Sequence, residues 1–465
     1  MHPLDPTASA FLLAENRQQP MHVGGLQLFR PPEDAGPDYV RDMFATSLAP
    51  EDIAPLFLKR PHRSLGTAGQ WVWVEDDQFD CDYHVRHSAL PAPGRIRELL
   101  DLSGRLHGTR LARERPLWET HVIEGLQDGR IAVYTKIHHA LVDGVSSMRL
   151  LQSVLSTDPD QRDMPPPWGR QQVESVRPAL DNDTSLFELP VSAFRSAFAL
   201  TAEAAGLPAA LLRTLTRSVR NDTSALSLYA PRTIINKPIT GSRRFAAQSW
   251  EIERMKSVGA ATGTTVNDVV LAMCSGAMRR YLLELGALPD APLVAMVPVG
   301  LKAKEAHVAS AAGGNAVGAV MVKLGTHLEE PTDRLLSIHR SMQSGKDALA
   351  SMTPVQIMAM SAIGMAPAVV PAMLRLQGIN RPAFNLIISN VPGPSDPHYF
   401  NGAQLDGMWP LSIPIHGMAL NITCTSYNGE MGFGLTGCRR TVPHLQRLLV
   451  HLDDELAALE KAAGV

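Results

Sequence analysis

The residues of this chain with the clearest capacity for chemistry are two adjacent histidines, His138 and His139, followed by Asp143 and Gly144. A neutral imidazole can remove a proton near neutral pH, because its ordinary pKa is about 6.5. Consecutive strand residues point to opposite faces, so only one of the two rings should face a given cleft. The pattern predicts one general base, with Asp143 and Gly144 shaping the turn that follows.

The elements that position this pair are predicted from periodicity. Alternation from Arg130 to Ile137 is typical of a half-buried strand, and His139 continues the parity of Thr135 and Ile137. Apolar residues at helical spacing from Val145 to Leu155 predict a helix directly afterwards. We therefore expect the two rings to face opposite sides at the junction of a strand and a helix, with one of them facing the cleft.

Three other interpretations of the pair stay open at this point. A metal site could use both histidines and Asp143, although adjacent histidines diverge and no second ligand cluster is visible, so we predict no metal. The two rings could also be core histidines with satisfied hydrogen bonds. A Ser-His-Asp hydrolase would usually carry G-x-S-x-G, and the sequence contains no such pentapeptide.

Composition excludes several classes of protein. The chain has 465 residues with 46 acidic and 43 basic side chains, so a net charge of -3 gives no basic field for nucleic acid. A mean hydropathy of -0.04 is too polar for a multi-span membrane protein. The four cysteines form no C-x-x-C pair, so neither a zinc knuckle nor a redox motif is expected. Four scattered thiols in a chain of this length indicate a reducing compartment. The first residues lack the basic region of a signal peptide, so we expect a cytoplasmic protein.

The chain divides into two predicted bodies of mixed α/β structure. Residues 1–160 form the first and 241–465 the second, and 161–240 form a proline-rich linker or crossover with apolar helices. The charge-free stretch from Ala348 to Leu374 contains several prolines, which favours buried helices lining an apolar cavity. The segment 432–437 matches G-x-G-x-x-G, but it falls in a predicted hairpin strand after Asn428-Gly429, so no dinucleotide site is expected.

Segment 138–144 matches the HHxxxDG motif of CoA-dependent acyltransferases and peptide-synthetase condensation domains. Other segments narrow the resemblance, and it runs from the first residues to the final predicted helix. Together they resemble the bacterial wax ester synthase/diacylglycerol acyltransferase family. These segments are Pro3-Leu4-Asp5, Pro20 to Leu26, Pro116 to Glu119, Thr265 to Val269, Val297 to Val299, Gly314-Asn315 and Ser389 to Pro394.

The resemblance implies two chloramphenicol-acetyltransferase-like subdomains with a channel between them. It implies transfer of a long acyl chain from acyl-CoA to a fatty alcohol or to diacylglycerol, giving wax ester or triacylglycerol. Acyl-CoA is a co-substrate, and no cofactor is implied. By the family pattern His139 is the general base, His138 a supporting motif residue and Asp143 structural. Peripheral contact with the inner membrane or lipid inclusions is compatible with this activity.

Further polar residues in or near the family-like segments are candidates for supporting roles. The oxyanion of the intermediate needs hydrogen-bond donors, and the phosphates of CoA need cations or backbone donors. For Asn267 and Asp268, helix capping is the alternative interpretation. The candidates for the oxyanion or channel are Asn267, Asp268, Ser389 and Asn390. The candidates for CoA binding are Arg243, Arg244, Lys302 and Lys304.

Two other functions remain open. A condensation-type acyltransferase would share the His139 motif but would take its acyl group from a carrier protein. A non-catalytic protein could bind lipid surfaces through the apolar stretches at Leu186 to Leu215 and Ala348 to Leu374. The intact motif at His139 and Asp143 favours an enzyme over this last possibility.

Overall fold

The computed structural model describes residues 2–4, 6–48, 52–67, 69–169, 230–300, 317–350 and 382–465. The predicted apolar helices at Leu186 to Leu215, most of the stretch from Ala348 to Leu374, and Lys302 and Lys304 lie outside the described residues. Strands and helices alternate irregularly along the described chain.

The strands in chain order are β1 (His2–Pro3), β2 (His22–Arg30), β3 (Lys59–His62), β4 (Val72–Glu75), β5 (Val85–Ala89), β6 (Trp118–Glu124), β7 (Ile131–His138), β8 (Arg243–Glu251), β9 (Val294–Gly300), β10 (Val317–Lys323), β11 (Leu386–Val391), β12 (Tyr399–Phe400), β13 (Ala403–Leu411), β14 (Leu420–Tyr427) and β15 (Glu430–Cys438). The helices are α1 (Pro6–Ala14), α2 (Tyr39–Leu48), α3 (Pro55–Leu58), α4 (Cys81–His84), α5 (Ile96–His107), α6 (Gly144–Ser153), α7 (Ile252–Thr262), α8 (Val266–Glu284), α9 (Pro331–Ala350) and α10 (Arg447–Ala463).

Among the described residues, the strands form two six-stranded sheets and one smaller sheet. The first sheet has the order β12-β13-β2-β7-β6-β5 and the second has the order β10-β9-β11-β14-β15-β8. Most neighbouring strands are antiparallel, whereas β5 with β6, and β11 with both β9 and β14, are parallel. A small sheet of order β1-β4-β3 lies beside them. The mixed α/β class predicted from the sequence is confirmed.

Burial explains why the strand carrying the histidines is stable. All but one of the residues of β7 are buried, and it lies between β2 and β6 in the sheet. On β6 the ring of Trp118 is fully buried, stacks on Trp168 at 5.0 Å and donates its indole N–H to the carbonyl of Phe57. Because β6 pairs with β7 from Trp118 opposite Ile137 onward, this aromatic packing also supports the strand that ends at His138.

The second sheet is covered by helices that bury a continuous apolar core. Helix α8 is buried along most of its length, and α10 contributes one apolar stripe through Leu448, Leu452, Leu456 and Leu459. Leucines at helical spacing from Leu445 to Leu459 predict this final helix, which begins at Arg447. The hairpin was also predicted, and Asn428 and Gly429 both adopt positive φ angles, as the favoured two-residue turn requires.

Strand β13 crosses the predicted division of the chain into two bodies. It lies within residues 241–465, yet it pairs with β2 of the first sheet. Besides β2 and the short β12, it also contacts the second sheet: a Cβ added to Gly434 of β15 would lie 2.1 Å from the carbonyl oxygen of Pro410. The glycines of segment 432–437 therefore allow two backbones to touch, and the segment lies in a strand as expected.

Candidate active site

The backbone of the histidine pair is held by its neighbours on both sides. The N–H of His138 donates to the carbonyl of Leu117 at 2.9 Å, and the N–H of His139 donates to the carbonyl of Met21 at 2.9 Å. Strand β7 ends at His138, so His139 lies one residue beyond the strand that was expected to include it. The two rings nevertheless occupy different surroundings, as the parity argument anticipated.

The ring of His138 is completely buried and both of its nitrogens face protein groups. Its Nδ1 accepts the N–H of Ala140 at 3.0 Å, so the proton of the neutral ring is on Nε2. That Nε2 lies 3.5 Å from Oε1 of Glu15. A ring enclosed in this way is unsuited to exchanging a proton with a substrate.

The ring of His139 is half-buried and stacks on Phe11, with ring centroids 4.1 Å apart and planes 20° from parallel. Burial lowers the pKa of His139 below its ordinary value, while the carboxylate of Asp143 acts in the opposite direction. A hydrogen bond between the ring and its own backbone also favours the protonated form, so it raises the pKa. His139 is thus held mainly neutral at pH 7.

Asp143 acts on the local backbone. Its Oδ1 accepts the N–H groups of Val145 at 2.8 Å and Ser146 at 2.9 Å, and its Oδ2 accepts the hydroxyl of Ser146 at 3.0 Å. It is the N-cap of α6, a contribution worth about 1 kcal/mol in typical helices. Gly144 is the first residue of that helix, and a Cβ there would come to 3.9 Å from a methyl group of Val23.

An apolar cluster rich in methionine adjoins the ring of His139. We call it the methionine cluster; it joins the first residues of the chain to strands of the second sheet, and Phe11 packs against it. Because Phe11 also stacks on His139, the cluster brings an adaptable apolar surface to the histidine. Its buried members are Ala14, Met21, Ala230, Val294, Met296, Met321, Ala383, Phe384, Ile415 and Met418.

Asp268 belongs to a capping box at the start of α8. Its Oδ2 accepts from the N–H and the hydroxyl of Thr265 at 3.0 and 2.8 Å, and it also bonds Nδ1 of His339 at 2.8 Å. This geometry supports the capping interpretation for Asp268 and does not support an oxyanion role, because a carboxylate accepts rather than donates. Asn267 is half-buried in the first turn of the same helix.

Ser389 and Asn390 lie near the end of β11, and both are half-buried. Within the described residues, β11 pairs with β9 only over Leu386 and Ile387, whereas its pairing with β14 continues through Val391. The sheet therefore opens between β9 and β11 at the level of these two polar residues.

The arginines predicted to bind CoA differ in their surroundings. Arg243 is buried, and its guanidinium donates to the carbonyls of Thr240 and Gln18. Burial lowers the pKa of Arg243 to about 10. These contacts occupy its donors inside the protein, so the geometry does not support a contact with CoA phosphates. Arg244 is half-buried and bonds Oε1 of Gln446 at 3.3 Å.

Three residues beside the histidines were missed at the sequence level: Phe11, Glu15 and Arg113. Buried Glu15 forms an ion pair with half-buried Arg113, whose guanidinium lies 3.0 Å from Oε2. Glu15 lies more than a hundred residues from His138 along the chain, so no local spacing could join them. The one available signal was their position near family-like segments, which lie at the N-terminus for Phe11 and Glu15 and at Pro116 to Glu119 for Arg113.

Within the described parts of the chain, no group of three or more His, Cys, Asp or Glu side chains could hold a metal ion. Over the same residues, no helix has the length and apolar character needed to cross a membrane.

Comparison with known proteins decides the family. The model of the wax ester synthase/diacylglycerol acyltransferase catalytic domain matches residues 4–270, and the model of the C-terminal domain of the same proteins matches residues 313–460. The chain belongs to this family. As a member, it is an O-acyltransferase, which is the enzyme class predicted from the motif.

Relatives cover this acyltransferase over its full length. A putative diacylglycerol O-acyltransferase of Mycobacterium bovis is 47% identical over 460 residues, which is 99% of either chain. Another from Mycobacterium tuberculosis is 46% identical over 462 residues, covering 99% of this acyltransferase and 100% of the relative. The solved wax ester synthase/diacylglycerol acyltransferase from Marinobacter aquaeolei VT8 is 43% identical, with a TM-score of 0.77 and complete coverage of both chains.

A more distant likeness concerns the fold alone. The first condensation domain of the CDA synthetase is 18% identical to this acyltransferase, with a TM-score of 0.56 over 99% of this chain and 96% of that one. The shared architecture agrees with the fold class that the motif implied.

Proposed function

We propose that this acyltransferase transfers a long acyl chain from acyl-CoA to the hydroxyl of a fatty alcohol or of diacylglycerol, with His139 as general base. The observation that carries the proposal is the environment of His139. Its ring is half-buried, mainly neutral, stacked on Phe11 and next to the methionine cluster. Substrates with long hydrocarbon chains require an apolar surface at the reacting centre, and this histidine has one.

The proposed reaction is a direct transfer. The neutral ring of His139 takes the proton of the alcohol as its oxygen attacks the thioester carbonyl. A tetrahedral oxyanion forms, for which the half-buried side chains of Asn267, Ser389 and Asn390 are the candidate donors. The carbon–sulfur bond then breaks and the CoA thiolate receives the proton from His139. No acyl-enzyme is formed, so no serine or cysteine nucleophile is needed.

We expect purified protein to release free thiol from palmitoyl-CoA only when hexadecanol or diacylglycerol is present, with a matching amount of ester. Thiol release can be followed by a chromogenic thiol reagent and the ester by thin-layer chromatography. Activity only with a carrier-protein-bound acyl group would replace this proposal with a condensation-type function. Binding to lipid vesicles without turnover of either donor would contradict an enzymatic function altogether.

The pH dependence gives a second expectation. A base acts while it is neutral, and a lowered pKa keeps His139 neutral to more acidic pH. The acid limb of kcat/KM for acyl-CoA should therefore lie below about pH 6.5, the ordinary value for histidine. The measurement is a series of initial rates, with circular dichroism at each pH to verify folding. A limb centred above pH 7 in folded protein would contradict this environment for the base.

A further inference from the structure

We infer that Glu15 is a positioning residue for both motif histidines, because its carboxylate joins the end of α1, the segment before β2 and the ring of His138. This inference rests on the proposed role of His139. Glu15 follows directly after α1, is buried, and donates its backbone N–H to the carbonyl of Phe11 at 3.0 Å. It therefore lies between Phe11 and the histidine pair.

The charge of Glu15 is stabilised within the protein. Burial would raise the pKa of its carboxyl, but the nearby ring of His138 and the charge and hydrogen bonds of Arg113 outweigh burial and lower it. Arg113 donates from Nε at 3.2 Å and from a terminal nitrogen at 3.0 Å to Oε2. The same terminal nitrogen donates to the carbonyl of Leu12 at 2.5 Å. Arg113 thus binds both the carboxylate and the last turn of α1.

The other carboxylate oxygen faces the histidines. Oε1 lies 3.5 Å from Nε2 of His138 and accepts the N–H of Met21 at 3.3 Å. Since Nδ1 of His138 accepts from Ala140, the proton on Nε2 points toward Glu15, and the carboxylate favours that tautomer. Met21 in turn accepts the N–H of His139 through its carbonyl. One side chain therefore reaches the ring of His138 and, through Met21, the backbone of His139.

The third connection runs through α1 to the ring of His139. Arg113 and Glu15 fix the end of the helix that carries Phe11, and Phe11 stacks on His139. Loss of the carboxylate charge would loosen all three connections at once. A displacement of about 1 Å at a reacting group can lower the rate about 100-fold. Glu15 could therefore affect the rate by displacing His139, without touching the substrate itself.

The first test is Glu15→Gln, which retains the size of the side chain and removes its charge. We expect kcat to fall by about 10- to 100-fold, with the KM for palmitoyl-CoA changed by less than about twofold, because positioning affects the reacting ring and not the binding of CoA. In protein labelled with ¹⁵N-histidine, the resonances of His138 should change from the Nε2–H tautomer to a mixture. An unchanged kcat together with an unchanged tautomer would overturn the inference.

The matched control is Glu455→Gln. Glu455 is also a buried glutamate paired with an arginine, Arg334, but its partner lies in the second body among α9 and α10. Both variants should lower the melting temperature, and only Glu15→Gln should lower kcat. If Glu455→Gln lowers kcat to the same extent, loss of stability explains the result and the positioning role is wrong.

Arg113→Gln supplies a pH signature. The titratable and charged groups facing Glu15 are Arg113 and His138. Without the guanidinium, burial should raise the pKa of Glu15, so activity should be retained at high pH and fall as the carboxyl takes up a proton on acidification. The variant should thus gain an acid limb at higher pH than the wild type. Identical pH profiles would contradict the inference.

The outcomes separate the inference from the proposed function. If His139→Ala is inactive and Glu15→Gln is fully active, the positioning role of Glu15 is wrong and the proposed function still holds. If His139→Ala is active, the proposed mechanism with His139 as general base is wrong. The tautomer of His138 in Glu15→Gln would then still show whether Glu15 orients that ring.

Discussion

Replacement of His139 by alanine is expected to lower kcat by about 10²- to 10⁴-fold, the usual contribution of a general base. The alcohol hydroxyl is a weak nucleophile near pH 7, and His138 cannot substitute because its nitrogens face Ala140 and Glu15. The KM for acyl-CoA should change little, since the ring acts in the transition state. Initial rates of thiol release with palmitoyl-CoA and hexadecanol measure both constants.

The control for this variant is His87→Ala. His87 also stacks on a phenylalanine, Phe44, with ring centroids 5.1 Å apart, but it lies on β5 at the far edge of the first sheet. Removing it deletes a similar contact away from the motif, so kcat should stay within about twofold of wild type for a surface change of this size. A His139→Ala enzyme with a kcat within tenfold of wild type would contradict the proposed mechanism.

Substitution of Gly434 by valine is expected to destabilise the protein by about 3 kcal/mol, at the upper end of typical overpacking costs. The new Cβ would lie 2.1 Å from the carbonyl oxygen of Pro410 and 3.3 Å from the ring of Phe245. Neither neighbour is the flexible end of a side chain, so the two sheets must separate locally. The free energy of unfolding from urea titration and the melting temperature measure the effect.

Gly36→Ala is the control for this substitution. A Cβ at Gly36 meets no heavy atom within 4 Å, so the free energy of unfolding should change by less than about 0.5 kcal/mol. If Gly434→Val were as stable as Gly36→Ala, the close approach of β13 to β15 would not be a determinant of stability.

Much of the secondary structure around the site could be predicted because its causes are local. The turn at Asn428-Gly429 requires two positive φ angles, and few residue pairs provide them. The apolar stripe of α10 expresses burial on one face, which periodicity reports directly. Strand β7 was located correctly by its alternation, but it is buried on both faces rather than half-buried, because it lies inside the sheet between β2 and β6. The motif at 138–144 and the other family-like segments then indicated the family.

The contacts that complete the site could not be predicted in the same way. The tertiary fold brings the end of α1 next to the end of β7, and this is why Glu15 contacts both Arg113 and His138. Such long-range contacts cannot be predicted from the local pattern of a single sequence. Burial also determines which partners a charged side chain can bind, and the sequence does not show which charged residues are buried. Arg243 has the charge expected of a phosphate ligand, but it binds two backbone carbonyls inside the protein.

The pairing of β13 with the first sheet also determines when that sheet can be completed during synthesis of the chain. Strand β2 pairs with β7 on one side and with β13 on the other, so the second edge of β2 stays open until residues 403–411 have left the ribosome. Nearly nine-tenths of the chain is then already made. An open strand edge invites pairing with other chains. The topology therefore leaves this edge of β2 open to pairing with other chains during most of synthesis.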